Sequence, residues 1–268
     1  MWEGDEWVAV RAARAGADVV RSGMYKEVET ELKSSVDPVT EVDREAEQAV
    51  RGVIASHFPD DAILGEEEGG PDWRKGRVWI VDPLDGTVNF VHRVPQFAVS
   101  VALWDGSHPL LGVIIDVARN EEFFAGVGEG ATLNGEAITV SQTPSLADSL
   151  IATGFPYDRQ EHAGAYLRVV EEVMKVSRGT RRMGAAALDL AWVACGRFDA
   201  YWEHGGIHGV KPWDLAAGAL LVTEAGGAMT DQQGARNRLE APAFVASNGK
   251  VHEELRAIVE RTLPDHLI

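Results

Sequence analysis

The hydrophobic pattern predicts an α+β fold in which sheet layers are covered by helices. Three observations predict it. Residues 3–24 and 41–57 carry apolar positions at helical spacing. Residues 62–116 break into short apolar runs ending in turns, and residues 150–262 alternate strand-like and helix-like segments.

In 3–24 the apolar positions are Trp7, Val8, Val10, Ala13, Ala17 and Val20, with Gly16 and Gly23 as breakers. Thr40 suits the N-cap of the helix over 41–57, with Asp43 in its first turn. AILG (62–65), VWIVD (78–82), FAVSVALW (97–104) and LLGVIID (110–116) read as strands. FFAGV and a TLNGEAITV hairpin, with Asn134-Gly135 at its tip, complete an antiparallel-looking sheet. Strands at 150–155, near 176–181, at 199–203 and at 243–247 then alternate with helices near 160–174, 185–195, 213–225 and 249–262. The seam falls near Pro144. It separates an N-terminal half, 1–143, from a C-terminal half, 144–268, expected to pack closely as one functional unit.

With 268 residues and 45% hydrophobic content, the chain can bury a large core. The net charge of -17 repels nucleic acid and anionic membrane, which argues against both as partners. Solubility explains such a charge, and so does a collection of acids around cations. Cys195 is the only cysteine, which excludes an internal disulfide and a zinc–cysteine cluster and fits a reducing compartment. MWEGDEW lacks the build of a signal peptide, and apolar stretches such as 215–222 are too short to span a bilayer. A cytoplasmic location is expected.

The stretch WIVDPLDGTVNF (79–90) ends a hydrophobic strand in two acids, a proline, a glycine and a threonine. Asp-Pro is a favoured start of a type I turn, which brings the Cα atoms of Asp82 and Asp85 within ~7 Å. Carboxylates that close repel unless a cation lies between them. Two carboxylates and the Leu84 carbonyl form a hard oxygen set that suits magnesium rather than zinc. Gly86 permits close approach to the backbone, and a helix starting near Thr87 offers free N–H groups to an anion. The bland alternative is a capped surface turn. A phosphoryl-aspartate nucleophile fails on spacing, because the two acids stand three apart instead of two.

Glu66 follows a predicted strand end, although EEE runs are more often solvated. Asp214 lies in the first turn of a helix, where capping alone explains it, and Thr40 with Asp43 reads equally as a capping box. Each motif other than DPLDGT is weak alone; together, in this order, they are specific.

KSSVDPVTEVD, LGEEE, VDPLDGTVNFVHRVPQFAVSVAL, RRMGAAALDLAWVACGRFDAYWE and KPWDLAAGALLVTEAGG together resemble the inositol monophosphatase family, within the lithium-sensitive, magnesium-dependent phosphatases. The resemblance covers nearly the whole chain. It implies a layered α-β-α-β-α sandwich, usually as a homodimer. It implies that Glu66, Asp82 and the Leu84 carbonyl hold one Mg2+, that Asp82, Asp85 and Asp214 hold a second, and that a third, weaker ion sits near Glu66. Asp43 and Thr87 would form a hydrogen-bonded pair that, with Glu66, activates the attacking water. The Gly86 and Thr87 amides would hold phosphate, while Gly184, Ala185 and Glu203 occupy the positions for the alcohol.

Two metals can clamp the attacking and leaving oxygens of a phosphate monoester, so no serine, cysteine or histidine nucleophile is needed. The expected reaction is in-line hydrolysis by metal-activated water of a small phosphorylated polyol or sugar, inositol-1-phosphate first. Fructose-1,6-bisphosphate and histidinol phosphate are alternatives on the same site. A partner-binding protein with an incidental phosphatase site is the competing class.

One departure concerns substrate identity. Glu203 and Asp214 stand eleven apart, about four more than the family pattern, and Gly205, Gly206 and Gly209 suggest a looped insertion. His204 and His208 there could bind a further metal, although loop histidines are far more often solvated. Arg181 and Arg182 suit a second anionic group, or equally a charged strand end paired with acids. His92 and Asp189 read as structural hydrogen-bonding residues, and Cys195 as a small core residue.

Overall fold

The computed structural model describes residues 3–24, 26, 30–34, 37–205, 209–236 and 239–263. Helix α1 (Glu3–Gly23) precedes an antiparallel hairpin, β1 (Thr30–Ser34) and β2 (Asp37–Thr40), and then α2 (Glu41–His57). Strands β3 (Ala62–Gly65) and β4 (Val78–Asp85) lead through the short helix α3 (Thr87–Val91) to four more strands: β5 (Ala98–Trp104), β6 (Pro109–Asp116), β7 (Glu121–Gly126) and β8 (Gly130–Leu133). With β9 (Glu136–Ile138) they form a seven-stranded sheet in sequential order. Asn134 and Gly135 turn the β8–β9 hairpin with positive φ at both residues, as Asn-Gly tips favour.

A second sheet follows. It contains β10 (Leu150–Thr153), β11 (Gly179–Arg181), β12 (Ala200–His204), β13 (Ala228–Asp231) and β14 (Ala243–Ser247), ordered β11-β10-β12-β14-β13. The helices α4 (Arg159–Val176), α5 (Ala186–Ala194), α6 (Pro212–Glu224) and α7 (His252–Thr262) interrupt it in sequence.

Strand alternation builds the layers. On β5, Val99, Val101 and Leu103 face α1 and α2, joined by Trp79, Val81, Leu111 and Val113 from neighbouring strands. Ala98, Ala102 and Trp104 face the other way, toward α5 and α6. Beyond those helices lies the second sheet, whose far face (Ile151, Trp202, Val245) packs on α4 and α7. The result is the α-β-α-β-α sandwich. Both central helices are apolar almost all round because both their faces are covered. No helix among the described residues is long and apolar enough to cross a membrane.

Several expectations change. The first sheet is not wholly antiparallel, since β3 pairs parallel with β4. The second is mixed, with β10 parallel to β11 and β12, and β14 antiparallel to β12 and β13. The hairpin β1–β2 and strand β13 carry too few apolar residues to read as strands from pattern. The strand expected near 176–181 shrinks to Gly179–Arg181 because α4 runs on to Val176. Most consequential, 82–85 is no type I turn: β4 continues through it as strand.

Candidate active site

The site begins with an irregularity in β4. Asp82 pairs with Ser100 and Asp85 with Ala98, three steps on β4 against two on β5. In a regular strand, residues three apart point to opposite faces. The extra residue of this bulge returns Asp85 to the face of Asp82. The local bond is from the Leu84 N–H to Asp82 Oδ1, at 3.0 Å.

Helix α6 brings Asp214 to the same place from the C-terminal half. One carboxylate oxygen from each of Asp82, Asp85 and Asp214 lies within 4.8 Å of the others. Asp82 and Asp85 are buried, and Asp214 is half-buried. Asp214 is also a capping residue, because its Oδ2 accepts the Lys211 N–H at 2.6 Å. Asp85 is held by α5, whose Ala187 N–H donates to its Oδ2 at 2.7 Å.

Burial and then the neighbouring acids hold these carboxyls well above the usual range. Burial with the negative charge of Glu66, Asp85 and Asp214 raises Asp82 strongly. Burial lifts Asp85 and Asp214 each to about 7. Clustered carboxylates with that much repulsion call for divalent charge, and an all-oxygen donor set matches magnesium. Glu66 is half-buried and stands outside the tight trio, yet its charge raises both Asp82 and Asp85.

Beside the trio, Gly86 adopts φ +92° and opens α3. A Cβ there would lie 2.9 Å from the Gln96 carbonyl oxygen, so only glycine fits the turn. The next residue, Thr87, donates its hydroxyl to Asp43 Oδ1 at 2.9 Å, with the Leu84 carbonyl 3.0 Å away as a second acceptor. Asp43 divides its carboxylate: Oδ2 accepts the Thr40 N–H and hydroxyl at 2.8 and 2.6 Å. The capping box and the Thr87 pair are thus one network.

A cavity of about 270 Å³ opens over Asp85, Gly86, Thr87 and Asp214, and its far walls include Arg159, Arg182, Gly184, Ala185 and Glu203. Glu203 is buried, raised to about 7 by burial, and accepts the Tyr201 hydroxyl at 2.5 Å. Gly154 makes room for it, since a Cβ at 154 would collide with its carboxylate. A larger hollow of about 520 Å³, between α1, the β6–β7 turn and the tip of the β8–β9 hairpin, lies apart from this chemistry and is lined by already paired side chains such as Arg14 and Glu122.

Other expected residues fall elsewhere. His204 is no solvated loop histidine: it ends β12, is buried, and lies 4.8 Å from the Tyr166 ring. His208 lies outside the described residues. The insertion's ends are pinched, with the Val210 N–H donating to the His204 carbonyl at 3.1 Å. Arg181 stays outside the cavity. His92 is exposed at the end of α3, and its expected side-chain bond has no counterpart among the described residues. Asp189 is buried with its Oδ1 unpartnered among the described residues. Half-buried Cys195 packs against the core that α5 and α6 share.

Sequence reasoning passed over Glu47. It is fully buried and accepts the N–H groups of Glu67 and Glu68 at 2.8 and 3.1 Å, fixing the loop that carries Glu66. Arg51 braces it and also donates to the Gly69 carbonyl. The available signal was an acid on the apolar stripe of α2, between Ala46 and Val50. Asn89 was likewise missed; its amide donates to the carbonyls of Gln96, Met183 and Gly184, joining the α3 segment to the cavity wall.

The sequence model of the inositol monophosphatase family matches residues 3–263. The chain belongs to that family. The family is metal-dependent, and the Asp82–Asp85–Asp214 cluster is where a metal would be held. Among curated relatives, the chain is 42% identical to a protein named Nus factor SuhB from Pseudomonas aeruginosa, over 97% of each chain. It is 40% identical to an inositol-1-monophosphatase from Rhizobium meliloti, over 94% of each. Among solved inositol monophosphatase structures, that from Thermotoga maritima superposes with a TM-score of 0.87 at 34% identity, covering 100% of both chains.

Proposed function

We propose that this chain hydrolyses a small phosphate monoester with magnesium, inositol-1-phosphate being the leading substrate. The observation that carries the reading is the convergence of Asp82, Asp85 and Asp214 at a cavity that Asp85, Asp214 and Thr87 line, with Thr87 bonded to Asp43 behind it. In this reading Glu66, Asp82 and the Leu84 carbonyl hold one ion, and Asp82, Asp85 and Asp214 a second, with a weaker third near Glu66. Bound there, magnesium supplies Lewis-acid charge that offsets the phosphate and acidifies water. Thr87 Oγ1 accepts a proton from the attacking water and relays it toward Asp43, while Glu66 orients that water. The Gly86 and Thr87 amides hold phosphate, and Gly184, Ala185 and Glu203 position the alcohol. Residues 1–143 and 144–268 act as one unit, since Asp214 completes an acid cluster begun in the first half, and the protein works as a lithium-sensitive homodimer.

The test is phosphate release from inositol-1-phosphate, fructose-1,6-bisphosphate and histidinol phosphate, with magnesium and with EDTA. Magnesium-dependent release that Asp85→Asn abolishes supports the mechanism, and the preferred substrate names the branch. Release that persists in EDTA or in the variant overturns it.

A second reading rests on the relatives named Nus factor SuhB, 42% identical in one case. The chain would then act by binding a macromolecular partner, with the phosphatase site incidental. Protein partners fit better than nucleic acid given a net charge of -17. Partner capture that is unchanged by Asp85→Asn supports this reading; capture that depends on the carboxylate removes it.

A further inference from the structure

We propose that the cavity takes a substrate with a second anionic group, a phosphate or a carboxylate, held by Arg159 and Arg182. The inference rests on the reading of the site as a phosphatase. It concerns the end of the cavity away from the acidic trio.

Acids outnumber lysine and arginine 42 to 25 in this chain, so a guanidinium has ready partners. Many arginines take them: Arg14 pairs with Glu122, Arg77 with Asp5 and Asp61, Arg119 with Asp116, and Arg197 with Glu121. Others outside the cavity, such as Arg93 and Arg168, do not among the described residues, so it is the shared cavity that sets Arg159 and Arg182 apart. Arg159 and Arg182 line the same cavity, and neither forms an ion pair among the described residues.

Arg159 is held in place, and the exposed Arg182 lies against Gly184. Arg159 donates from Nη1 to the Pro156 carbonyl at 3.3 Å, and its guanidinium lies 5.7 Å from the centre of the Tyr157 ring. These contacts hold the group without neutralising it. Arg182 folds over Gly184, and its Nη1 occupies the space that a Cβ on that residue would fill. Gly184 therefore does more than take a φ of +84°; it makes room for a guanidinium at the cavity wall.

A monophosphate of a neutral polyol brings hydroxyls to this end, and Glu203 can accept from them. Hydroxyls leave both guanidiniums without an anion. The guanidinium fork matches the paired oxygens of phosphate or carboxylate, and such bonds are stronger than neutral ones. The matching class is a phosphorylated sugar or sugar acid with a second charge, which on this inference takes the place of inositol-1-phosphate as the preferred substrate. Arg182 also offsets the buried acids Glu203 and Asp189. Arg159 carries the inference independently of that role. General attraction of anions is a different effect, because it favours singly and doubly charged substrates alike and fades with salt.

The experiment compares kcat/KM within two matched pairs, with saturating magnesium. One pair is fructose-1,6-bisphosphate and fructose-1-phosphate; the other is 3-phosphoglycerate and glycerol-3-phosphate. Wild type, Arg159→Gln and Arg182→Gln are compared, with melting curves confirming that each variant folds. The wild type is expected to prefer the doubly charged member of one pair by more than about tenfold, and each substitution to lower that ratio about tenfold. The pair showing the preference tells phosphate from carboxylate. Hydrolysis with no preference, or with a ratio unmoved by both substitutions, overturns the arginine site and leaves the phosphatase reading standing. Absence of hydrolysis in both pairs and of inositol-1-phosphate, run beside them, refutes the phosphatase reading instead. Calorimetric binding of the same two pairs then decides the arginine site: selective binding that both variants weaken supports it, and equal affinities within each pair overturn it.

Discussion

Glu47 occupies the space that a side chain on Gly65 would need: a Cβ at 65 would fall within the carboxylate of Glu47. The acid is buried because it is paired, by Arg51 and by two backbone amides just past Glu66. The absence of one methyl group thus lets α2 grip the loop that presents Glu66.

Gly65→Ala is therefore expected to destabilise the protein by ~1–3 kcal/mol, the range for overpacking a filled interior. Glu47→Gln is expected to weaken the response to magnesium more than it lowers melting temperature, because it loosens the Glu66 loop. Denaturant melts and magnesium titrations of activity measure the two effects. A Glu47→Gln protein with unaltered magnesium dependence refutes the link.

Thr87→Val removes the hydroxyl that joins Asp43 to the phosphate side of the site while keeping volume. Turnover is expected to fall at least about 100-fold, the usual scale of a lost proton-transfer group. Stability should change by about 1 kcal/mol per lost hydrogen bond. Steady-state kinetics beside a urea melt distinguish loss of chemistry from loss of fold.

Without metal, the acid cluster makes stability fall as pH rises. Asp85, Asp214 and Glu203 bind protons more tightly folded than unfolded, so their contribution is complete below about 4 and is lost as pH passes about 7. In EDTA the melting temperature is expected to be higher at pH 5.5 than at 8, other groups being equal; Asp85→Asn should flatten the difference. Magnesium at pH 8 should raise the wild-type melting temperature and have less effect on the variant.

His204 works in the opposite sense. Burial pushes its imidazole down to about 4, against the favourable charge of Asp158, so the folded state resists its protonation. That resistance lowers stability as pH drops from the unfolded value, near 6.5, toward 4. His204→Phe keeps a ring against Tyr166 and removes the titration. It is expected to raise the melting temperature more at pH 5 than at pH 8.

The sequence by itself determined most of the elements and marked Asp82, Asp85 and Asp214, the three acids that the structure clusters. Helical spacing marked α1 and α2, and short apolar runs ending in turns marked β4 to β6, because these patterns are carried within a single segment. DPLDGT pointed to Asp82 and Asp85 through its chemistry, while PWDLAAG pointed to Asp214 only through the family resemblance. The tertiary structure decided what those local rules do not contain. Whether Asp82 and Asp85 share a face depended on the β4 bulge, a matter of register against β5 and not of turn propensity. Whether Asp214 joined them depended on α6 being buried between two sheets. Glu47 and Arg159 carry no mark in the sequence, since a charged residue's meaning comes from what lies across from it. Partners distant in the chain set burial and charge at this site, and only packing brings them together.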